Sequence, residues 1–442
     1  LGVRRGEGRY PEAVRAVLMS AAETAVAFLA GLDERPVGAD TTAAALRGRL
    51  GGRLPERGCA AGEAIERLVA GVAGGLVASG SPRYFGFVVG GAMPVAVAAD
   101  WLTSAWDQNA QVFATSPAAA VVEEIVAAWL LDLLGLPADS SVGFVTGGQM
   151  ATFTALVVAR DAVLAQVGWD VATSGLAGSP PLRVLVSDQA HATVGTALSL
   201  VGIGTSAVHV IPTDGQGRLD VEHLAALLRH QPGPTIICAQ AGNVNSGAFD
   251  PFDRIADLTE GHHAWLHVDG AFGLWANASP RYRRLLAGVE RADSWTVDAH
   301  KWLNVPYDSG MVVVRDQHRH QGLKRARCAY AGPATPDHRD GSSWVPENSR
   351  RARAFVLYAT LATLGRAGVA DLVDRCCGAA AHLARRAADI PHCQVLNDVV
   401  LNQVLLRFDP PGVTDPTAFH EQLADAVCSG GVSWLATTRW RN

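Results

Sequence analysis

The chain of 442 residues carries little charge, and that charge is nearly balanced. Lys and Arg number 37 against 42 Asp and Glu, which gives a net charge of -5. Without an excess of positive charge there is no electrostatic reason to bind nucleic acid or an anionic membrane, so we expect neither as a partner. Charged residues make up 18% and hydrophobic residues 49% of the chain, which indicates a large folded core rather than disorder.

Cysteine is sparse and shows no metal-binding pattern. Seven cysteines are spread along the chain, only Cys376 and Cys377 are adjacent, and no CxxC or Cys/His spacing suggests zinc. We therefore expect no metal site. An odd number of cysteines without a secretory leader is typical of a reducing compartment, so we expect a cytoplasmic protein.

Long apolar runs are missing as well. A membrane helix needs roughly 18–20 consecutive apolar residues. The run 118–136 comes nearest, but Glu123, Glu124 and Asp132 interrupt it. The sequence therefore predicts a soluble protein that does not span a membrane.

The pattern of apolar residues divides the chain into three parts. Residues 1–80 show helical spacing over 12–32 and 63–77, which predicts an N-terminal helical segment. We expect a large domain over 81–320, in which strand-like runs alternate with helical or Gly/Asn-rich stretches. The seven runs are 142–145, 183–187, 207–211, 235–239, 264–268, 294–297 and 311–314. This alternation predicts an α/β fold with a mostly parallel seven-stranded sheet and helices on both faces.

The remaining residues, 321–442, are predicted to form a small C-terminal α+β domain. Helices are expected over 350–364, 368–388 and 416–428, and a strand over 399–408. Within the large domain, Ser279 as N-cap and Pro280 at the first position predict the start of a crossover helix. That helix would bring the strands ending near Asp269 and Lys301 to the same edge of the sheet.

One lysine is unusual because its neighbours are mostly apolar or aromatic. Lys301 lies in the stretch 298–302 (DAHKW), directly after the strand-like run 294–297. Burial favours the neutral amine of a lysine, and a neutral amine attacks carbonyl groups. A surface lysine at a strand end is the alternative that this stretch alone leaves open.

The ends of two other predicted strands carry residues that could act together with this lysine. Asp269 follows the run 264–268, and Gly147 and Gly148 open an Ala-rich helix whose N-terminus suits a phosphate. The chain has no GxxxxGK[ST] pattern, which argues against a P-loop, although a nucleotide phosphate would suit the glycine turn equally. A phosphate site, a carboxylate and a lysine at the carboxyl ends of strands are what pyridoxal 5'-phosphate (PLP) requires.

Taken together, these features give a chain that resembles the PLP-dependent group II amino-acid decarboxylases of fold type I, the aspartate-aminotransferase fold. The most specific part is the pair of stretches 267–271 (HVDGA) and 298–302, in which Asp269 and Lys301 are 32 residues apart. The resemblance implies a PLP-dependent lyase that decarboxylates an L-amino acid. It also implies a homodimer in which the N-terminal segment packs across the partner subunit.

The resemblance implies a role for each matched residue. Lys301 would hold PLP as an imine, Asp269 would pair with the pyridine nitrogen, and His191 would stack on the ring opposite Ala271. The matched cofactor-binding positions are Gly147, Gly148, Gln149, His191, Asn243, Asp269, Ala271, His300 and Lys301. The family more often has a hydroxyl or small residue and then Glu where this chain has Gln149 and Met150. In the family, further sheet residues follow the pattern seen here at 434–440, so we expect the last strand to be missing.

A second departure concerns the proton donor. Group II enzymes commonly carry a tyrosine in a mobile loop, and the matched position here, counted back from Trp344, falls near Gly341. No tyrosine lies between Tyr330 and Tyr358, and His338 is the nearest residue able to donate a proton near neutral pH. We predict that the loop 331–346 is mobile and controls which product forms.

Several alternatives remain open at this stage. Another PLP reaction, either aldol-type cleavage or oxidative deamination to an aldehyde, fits the same residues. From other classes, a PLP-binding protein without turnover and a nucleotide-binding α/β protein also remain. The aromatic residues Tyr84, Phe85, Phe87, Trp101 and Trp106 favour an apolar or aromatic substrate only slightly.

Overall fold

The computed structural model describes residues 9–230, 232–323 and 338–440. The chain forms two compact units, of which one contains the residues up to Val89 and those from Gly412 on, and the other spans Gly90–Pro411. Residues 412–440 thus share a unit with the N-terminal helices. The division at residues 80 and 320 that the sequence suggests stays a prediction.

The helices and strands follow the predicted alternation closely. In chain order they are α1 (Arg9–Ala30), α2 (Ala43–Leu50), α3 (Ala61–Val72), β1 (Tyr84–Phe85), α4 (Pro94–Trp106), α5 (Pro117–Leu133), β2 (Ser141–Val145), α6 (Gly148–Ala165), α7 (Val171–Ser174), β3 (Arg183–Ser187), α8 (Ala192–Leu200), β4 (Val208–Ile211), α9 (Val221–His230), β5 (Thr235–Gln240), α10 (Phe252–Gly261), β6 (Trp265–Asp269), β7 (Ser294–Asp298), α11 (Ala299–Trp302), β8 (Gly310–Val314), α12 (Gln317–Gln321), α13 (Ala354–Ala388), β9 (Cys393–Val395), β10 (Leu406–Phe408), α14 (Pro416–Ser429) and β11 (Trp434–Leu435).

Seven strands form the central sheet, in the order β2-β8-β7-β6-β5-β3-β4. All neighbouring pairs are parallel except those of β8, which runs antiparallel to β2 and β7. The prediction of a mostly parallel seven-stranded sheet is confirmed. These strands are almost continuously apolar and buried because helices cover both faces of such a sheet.

The helix α6 packs directly on β6, β7 and β8. Its buried face consists largely of alanine and valine, which lets the helix lie close to the sheet. The same face contributes to a core that includes β3 and α8. The first turn of α6 is thereby held next to the ends of β2 and β7.

In the smaller unit, β1 pairs in parallel with β11. Tyr84 lies opposite Trp434 in this pairing, and their rings stack with centroids 4.7 Å apart. The helix α2 begins at its N-cap Thr42, whose hydroxyl accepts a hydrogen bond from the Ala45 N–H at 3.2 Å.

Two local predictions are wrong. Ser279 starts no α-helix, because its hydroxyl donates to the Asp374 carboxylate at 2.5 Å, and the segment between β6 and β7 forms three short 3₁₀ turns. The predicted strand 399–408 is paired only over Leu406–Phe408, where it meets β9. At Ser279, a contact distant in sequence accompanies the departure from the local pattern.

The expectation that no segment is long and apolar enough to cross a membrane is also corrected. Two helices are long and apolar enough to cross a membrane by length and composition, at Glu12–Ala30 and Ala354–Ala388. A third of the most apolar window of the second is buried, where α13 packs on α4 and α5. The corresponding window of the first is not buried at all in the single chain.

Candidate functional site

The predicted cofactor-binding residues lie at one edge of the sheet, because β2, β3, β5, β6 and β7 run in the same direction and their carboxyl ends meet there. Hydrogen bonds connect these ends. The N–H of Asp298, the last residue of β7, donates to the Ala271 carbonyl after β6 at 2.8 Å. The Asn243 amide after β5 donates to the Gln189 carbonyl after β3 at 3.3 Å.

Lys301 lies on the short helix α11 and pairs with a buried carboxylate. Its amine is 3.1 Å from Oδ2 of Asp298, and the side chain of Lys301 is 24% exposed whereas that of Asp298 is 3% exposed. The amine is also 6.0 Å from the centre of the Phe272 ring. Lys301 is therefore held at the edge of the sheet with its amine accessible.

His300 is fixed in one tautomer by the backbone. Its Nδ1 accepts a hydrogen bond from the Ser309 N–H at 3.1 Å, so in the neutral ring the proton is on Nε2. Burial lowers the pKa of His300, which keeps the ring neutral near pH 7. Nε2 lies 3.6 Å from Oδ1 of Asp298 and can donate to an acceptor beside it.

The glycine turn lies against these two residues. A Cβ added at Gly147 would lie 2.9 Å from Cε1 of His300, and one added at Gly148 would lie 2.8 Å from Oδ2 of Asp298. Only glycine permits this approach. The first N–H groups of α6, which have no partner within the helix, are thus placed beside His300.

Asp269 ends β6 and is partly exposed. Its Oδ1 accepts a hydrogen bond from the Ala271 N–H at 3.2 Å, and Oδ2 has no such partner among the described residues. Burial, together with the charge of Asp269, raises the pKa of Cys238 to about 12. Burial lowers the pKa of His267 to about 4, although the charge of Asp269 opposes this shift. Burial is the larger cause of both shifts, and the carboxylate of Asp269 acts on both groups from the end of the same part of the sheet.

The other predicted cofactor contacts have structural partners of their own. The Nδ1 atom of His191 caps α8, accepting from the Thr193 N–H at 3.3 Å, and the exposed ring leaves Nε2 free to contact a ligand. The Gln149 amide donates to the Thr193 carbonyl at 3.2 Å. Asn243 is buried, and its side-chain oxygen accepts from the Asn245 and Ser246 N–H groups. The roles assigned to these three side chains stay predictions.

The described part of the predicted loop is packed in the core, whereas its mobility and its control over which product forms stay predictions. Gly341 is buried, and a Cβ there would meet the Arg350 guanidinium and lie 2.5 Å from the Ala110 carbonyl oxygen. Val345 is fully buried. A tyrosine at position 341 therefore has no room, because the buried pair of Arg350 and Glu123, 2.5 Å apart, fills that space. Residues 331–337 lie outside the described residues.

His338 stacks on Phe113, with ring centroids 3.8 Å apart and an angle of 6° between the planes. Among the described residues, no contact connects His338 with Lys301. Its role as proton donor stays a prediction.

Sequence reasoning missed two residues at the site. Asp298 was treated only as the end of a strand, although it is the carboxylate that contacts Lys301. Tyr307 packs on His300 with ring centroids 4.4 Å apart, and burial raises its pKa. Both lie within nine residues of Lys301, so a search for polar residues around that lysine could have found them.

The geometry agrees with the comparison to known families. The protein-family model described as "Pyridoxal-dependent decarboxylase conserved domain" matches residues 56–409 of this chain. The chain belongs to this family. Its two glycines, buried histidine, accessible lysine and strand-end carboxylate all fit PLP, and PLP is the cofactor of this decarboxylase.

Individual relatives agree with this assignment. The decarboxylase is 28% identical to an aromatic-L-amino-acid decarboxylase of Bacillus atrophaeus, over 97% of this chain and 89% of the relative. It is 32% identical to L-2,4-diaminobutyrate decarboxylase of Rhizobium meliloti, over 78% of this chain and 69% of that protein. The crystal structure of Oryza sativa TDC with PLP and tryptamine superposes with a TM-score of 0.91 at 25% identity, covering 98% of this chain and 92% of that one. The protein is thus a PLP-dependent enzyme that decarboxylates an amino acid.

Proposed function

We propose that Lys301 binds PLP covalently and that Asp269 pairs with the pyridine nitrogen, so that an L-amino acid loses its carboxylate as carbon dioxide. When bound, PLP supplies the electron sink for the bond that breaks at the substrate's α-carbon. The observation that carries the proposal is the placement of the lysine amine, the strand-end carboxylate and the glycine turn at one edge of the sheet.

Each residue at this edge of the sheet is proposed to contact a different part of the cofactor. Asp269, whose Oδ2 has no partner among the described residues, offers an ionised acceptor to a protonated ring nitrogen. His300, whose Nδ1 accepts from the Ser309 N–H, would donate from Nε2 to the phosphate, together with the first N–H groups of α6. His191 is exposed at the start of α8 and would cover one face of the bound ring, and Ala271, whose side chain is a single methyl group, would leave room on the other.

The substrate is proposed to carry an aromatic or apolar side chain. Two relatives support this choice, the aromatic-L-amino-acid decarboxylase and the structure solved with tryptamine. The relative named for L-2,4-diaminobutyrate supports a cationic side chain as the second candidate. Turnover measured on tryptophan, phenylalanine, tyrosine and 2,4-diaminobutyrate decides between the two, because each candidate predicts activity on only one group.

The test of the cofactor site uses the fact that the chain contains only two lysines, Lys301 and Lys324. Borohydride reduction of the PLP-loaded protein, followed by peptide mapping, is expected to place the pyridoxyl group on Lys301. The control is Lys324→Arg, which should be labelled as fully as the wild type, whereas Lys301→Arg should not be labelled. Labelling at Lys324 contradicts the site.

We also propose that the product is the amine and not an aldehyde. The missing loop tyrosine motivates the rival reaction, in which the amino acid, oxygen and water would give an aldehyde, carbon dioxide, ammonia and hydrogen peroxide. Product analysis of the wild type and of His338→Ala, under air and under nitrogen, separates the two. Amine formation independent of oxygen supports decarboxylation alone, and aldehyde with peroxide under air supports the rival.

The assembly is proposed to be a homodimer, soluble in the cytoplasm, with no membrane or nucleic-acid partner. The support is the apolar surface of α1 in the single chain, where Leu18 and Val26 are about 60% exposed. A second copy of the chain would cover this surface.

A further inference from the structure

Asp298 is a buried carboxylate with incomplete hydrogen bonding. Its Oδ2 is 3.1 Å from the Lys301 amine, but Oδ1 has no hydrogen-bond partner among residues 9–230, 232–323 and 338–440, since Nε2 of His300 is 3.6 Å away. Leaving a buried charged oxygen without a partner is costly, and such atoms call for a functional explanation.

Three glycines also lie close to this carboxylate. Added Cβ atoms at Gly147, Gly148 and Gly310 would lie 3.5, 2.8 and 2.9 Å from its oxygens. Gly147 and Gly148 form the turn that we assign to the cofactor's phosphate. Oδ1 therefore faces the position of a second negative charge.

The backbone of Asp298 is held from two sides, so the carboxylate cannot move away easily. Its N–H donates to the Ala271 carbonyl at 2.8 Å, and its carbonyl accepts from the indole N–H of Trp275 at 2.9 Å. Both partners are distant in sequence, and Trp275 is fully buried. The position of the carboxylate is thus a property of the whole sheet edge.

We infer that Asp298 is a positioning residue, which holds the Lys301 amine at the edge of the sheet and places a negative charge beside the phosphate turn. This inference rests on the proposed function. It has two consequences of opposite sign. The charge opposes the phosphate, whereas the contact with Lys301 keeps the amine where the reaction needs it.

The test uses Asp298→Asn, which removes the charge at nearly constant volume. The probe for the phosphate is 4'-deoxypyridoxine 5'-phosphate, which has no aldehyde and cannot react with a lysine. We expect the variant to bind this probe about tenfold more tightly by fluorescence titration. We expect kcat of the PLP-loaded variant to fall by about tenfold or more. A merely structural role would weaken both.

Asp308→Asn is the matched control, because Asp308 lies seven residues from Lys301 and pairs instead with Arg353 at 2.7 Å. The affinity for the probe and kcat should both stay near those of the wild type in this control. If Asp298→Asn does not fold, as judged by circular dichroism, Asp298→Ser takes its place.

The inference is overturned if the probe binds no more tightly to the variant, or if kcat does not change. A failure of the proposed function looks different, since borohydride would then not label Lys301 even in the wild type.

Discussion

Asp269 and His267 lie on the same face of β6, one at the edge of the sheet and one fully buried below it. His267 belongs to a chain of polar side chains inside the core. Its Nδ1 is 3.0 Å from the Ser294 hydroxyl, and its Nε2 is 3.5 Å from that of Thr296. The Thr296 hydroxyl is in turn 3.1 Å from that of Thr152 on α6. The strand that carries the carboxylate is thereby tied to the helix that carries the glycine turn.

For Asp269→Asn, we expect a folded protein with kcat lower by a factor of about 100–1,000, because a neutral amide cannot offer the ring nitrogen an ionic partner. Steady-state kinetics with saturating PLP measures this loss. Asp188→Asn, which changes an aspartate just after β3, serves as the control and should retain activity. Near-normal turnover of Asp269→Asn would contradict the role proposed for this carboxylate.

His267 is expected to make the protein less stable in acid. Burial holds its folded-state pKa at about 4, below the ordinary value of 6.5. As the pH falls below about 6.5, the unfolded chain takes up the proton first, so stability present at higher pH is lost down to about pH 4. At pH 5, we expect this titration to have lowered the free energy of unfolding by about 2 kcal/mol relative to its value at neutral pH.

Urea unfolding at pH 7.5 and pH 5 measures this loss. His267→Asn should lose less free energy of unfolding between the two pH values than the wild type. His223→Asn, at an exposed position on α9, should show the pH dependence of the wild type. The explanation fails if both variants show the wild-type dependence.

At the scale of elements, α13 contains a break that the sequence pattern indicated. Helices were predicted over 350–364 and 368–388, and Gly365 lies between them with φ 59° and ψ -179°. Only glycine adopts this conformation without strain. The first part of α13 packs on α4 and α5, and the break redirects the rest of the helix.

Gly365→Ala is expected to lower the free energy of unfolding by about 1–3 kcal/mol, because alanine is strained at that φ. Gly378→Ala on the same helix is the matched control. Nothing lies within 4 Å of its added Cβ, so it should raise stability by up to about 1 kcal/mol. Chemical denaturation compares the two, and equal effects would rule out strain at Gly365.

At the scale of the whole molecule, the exposed side of α1 needs a partner. Its most apolar window has no buried residues in the single chain. An amphipathic surface of this kind binds either protein or membrane. A second copy of the chain is the partner proposed above.

We expect light scattering to give a molecular mass of twice 46.3 kDa for the wild type. Leu18→Asp should shift the mass towards 46.3 kDa, because it places a charge on the side of α1 that the proposed dimer would cover. Leu54→Asp, at a leucine that is 92% exposed outside any helix, should leave the dimer intact. A monomeric wild type that sediments with lipid vesicles would contradict the proposal.

The sequence by itself determined the family, the cofactor and the positions of the central strands. The strand positions depend on local features, since apolar runs define buried strands and parallel strands end at the same edge of a sheet, whereas the family followed from the resemblance of the stretches 267–271 and 298–302. The residues after those strands, among them Gly147, Asp269 and Lys301, could therefore be assigned to one site before any contact was known. The break at Gly365 was indicated for the same reason, because a loss of helical periodicity is local.

Only the tertiary structure decided which side chains contact one another within that site. The pairing of Asp298 with Lys301 depends on the path of the short helix α11, which periodicity does not define. Gly341 was placed in a mobile loop by counting along the chain, but Glu123 and Arg350, 227 positions apart, pack over it. Such contacts arise from packing between distant segments, and no local pattern in the sequence records them.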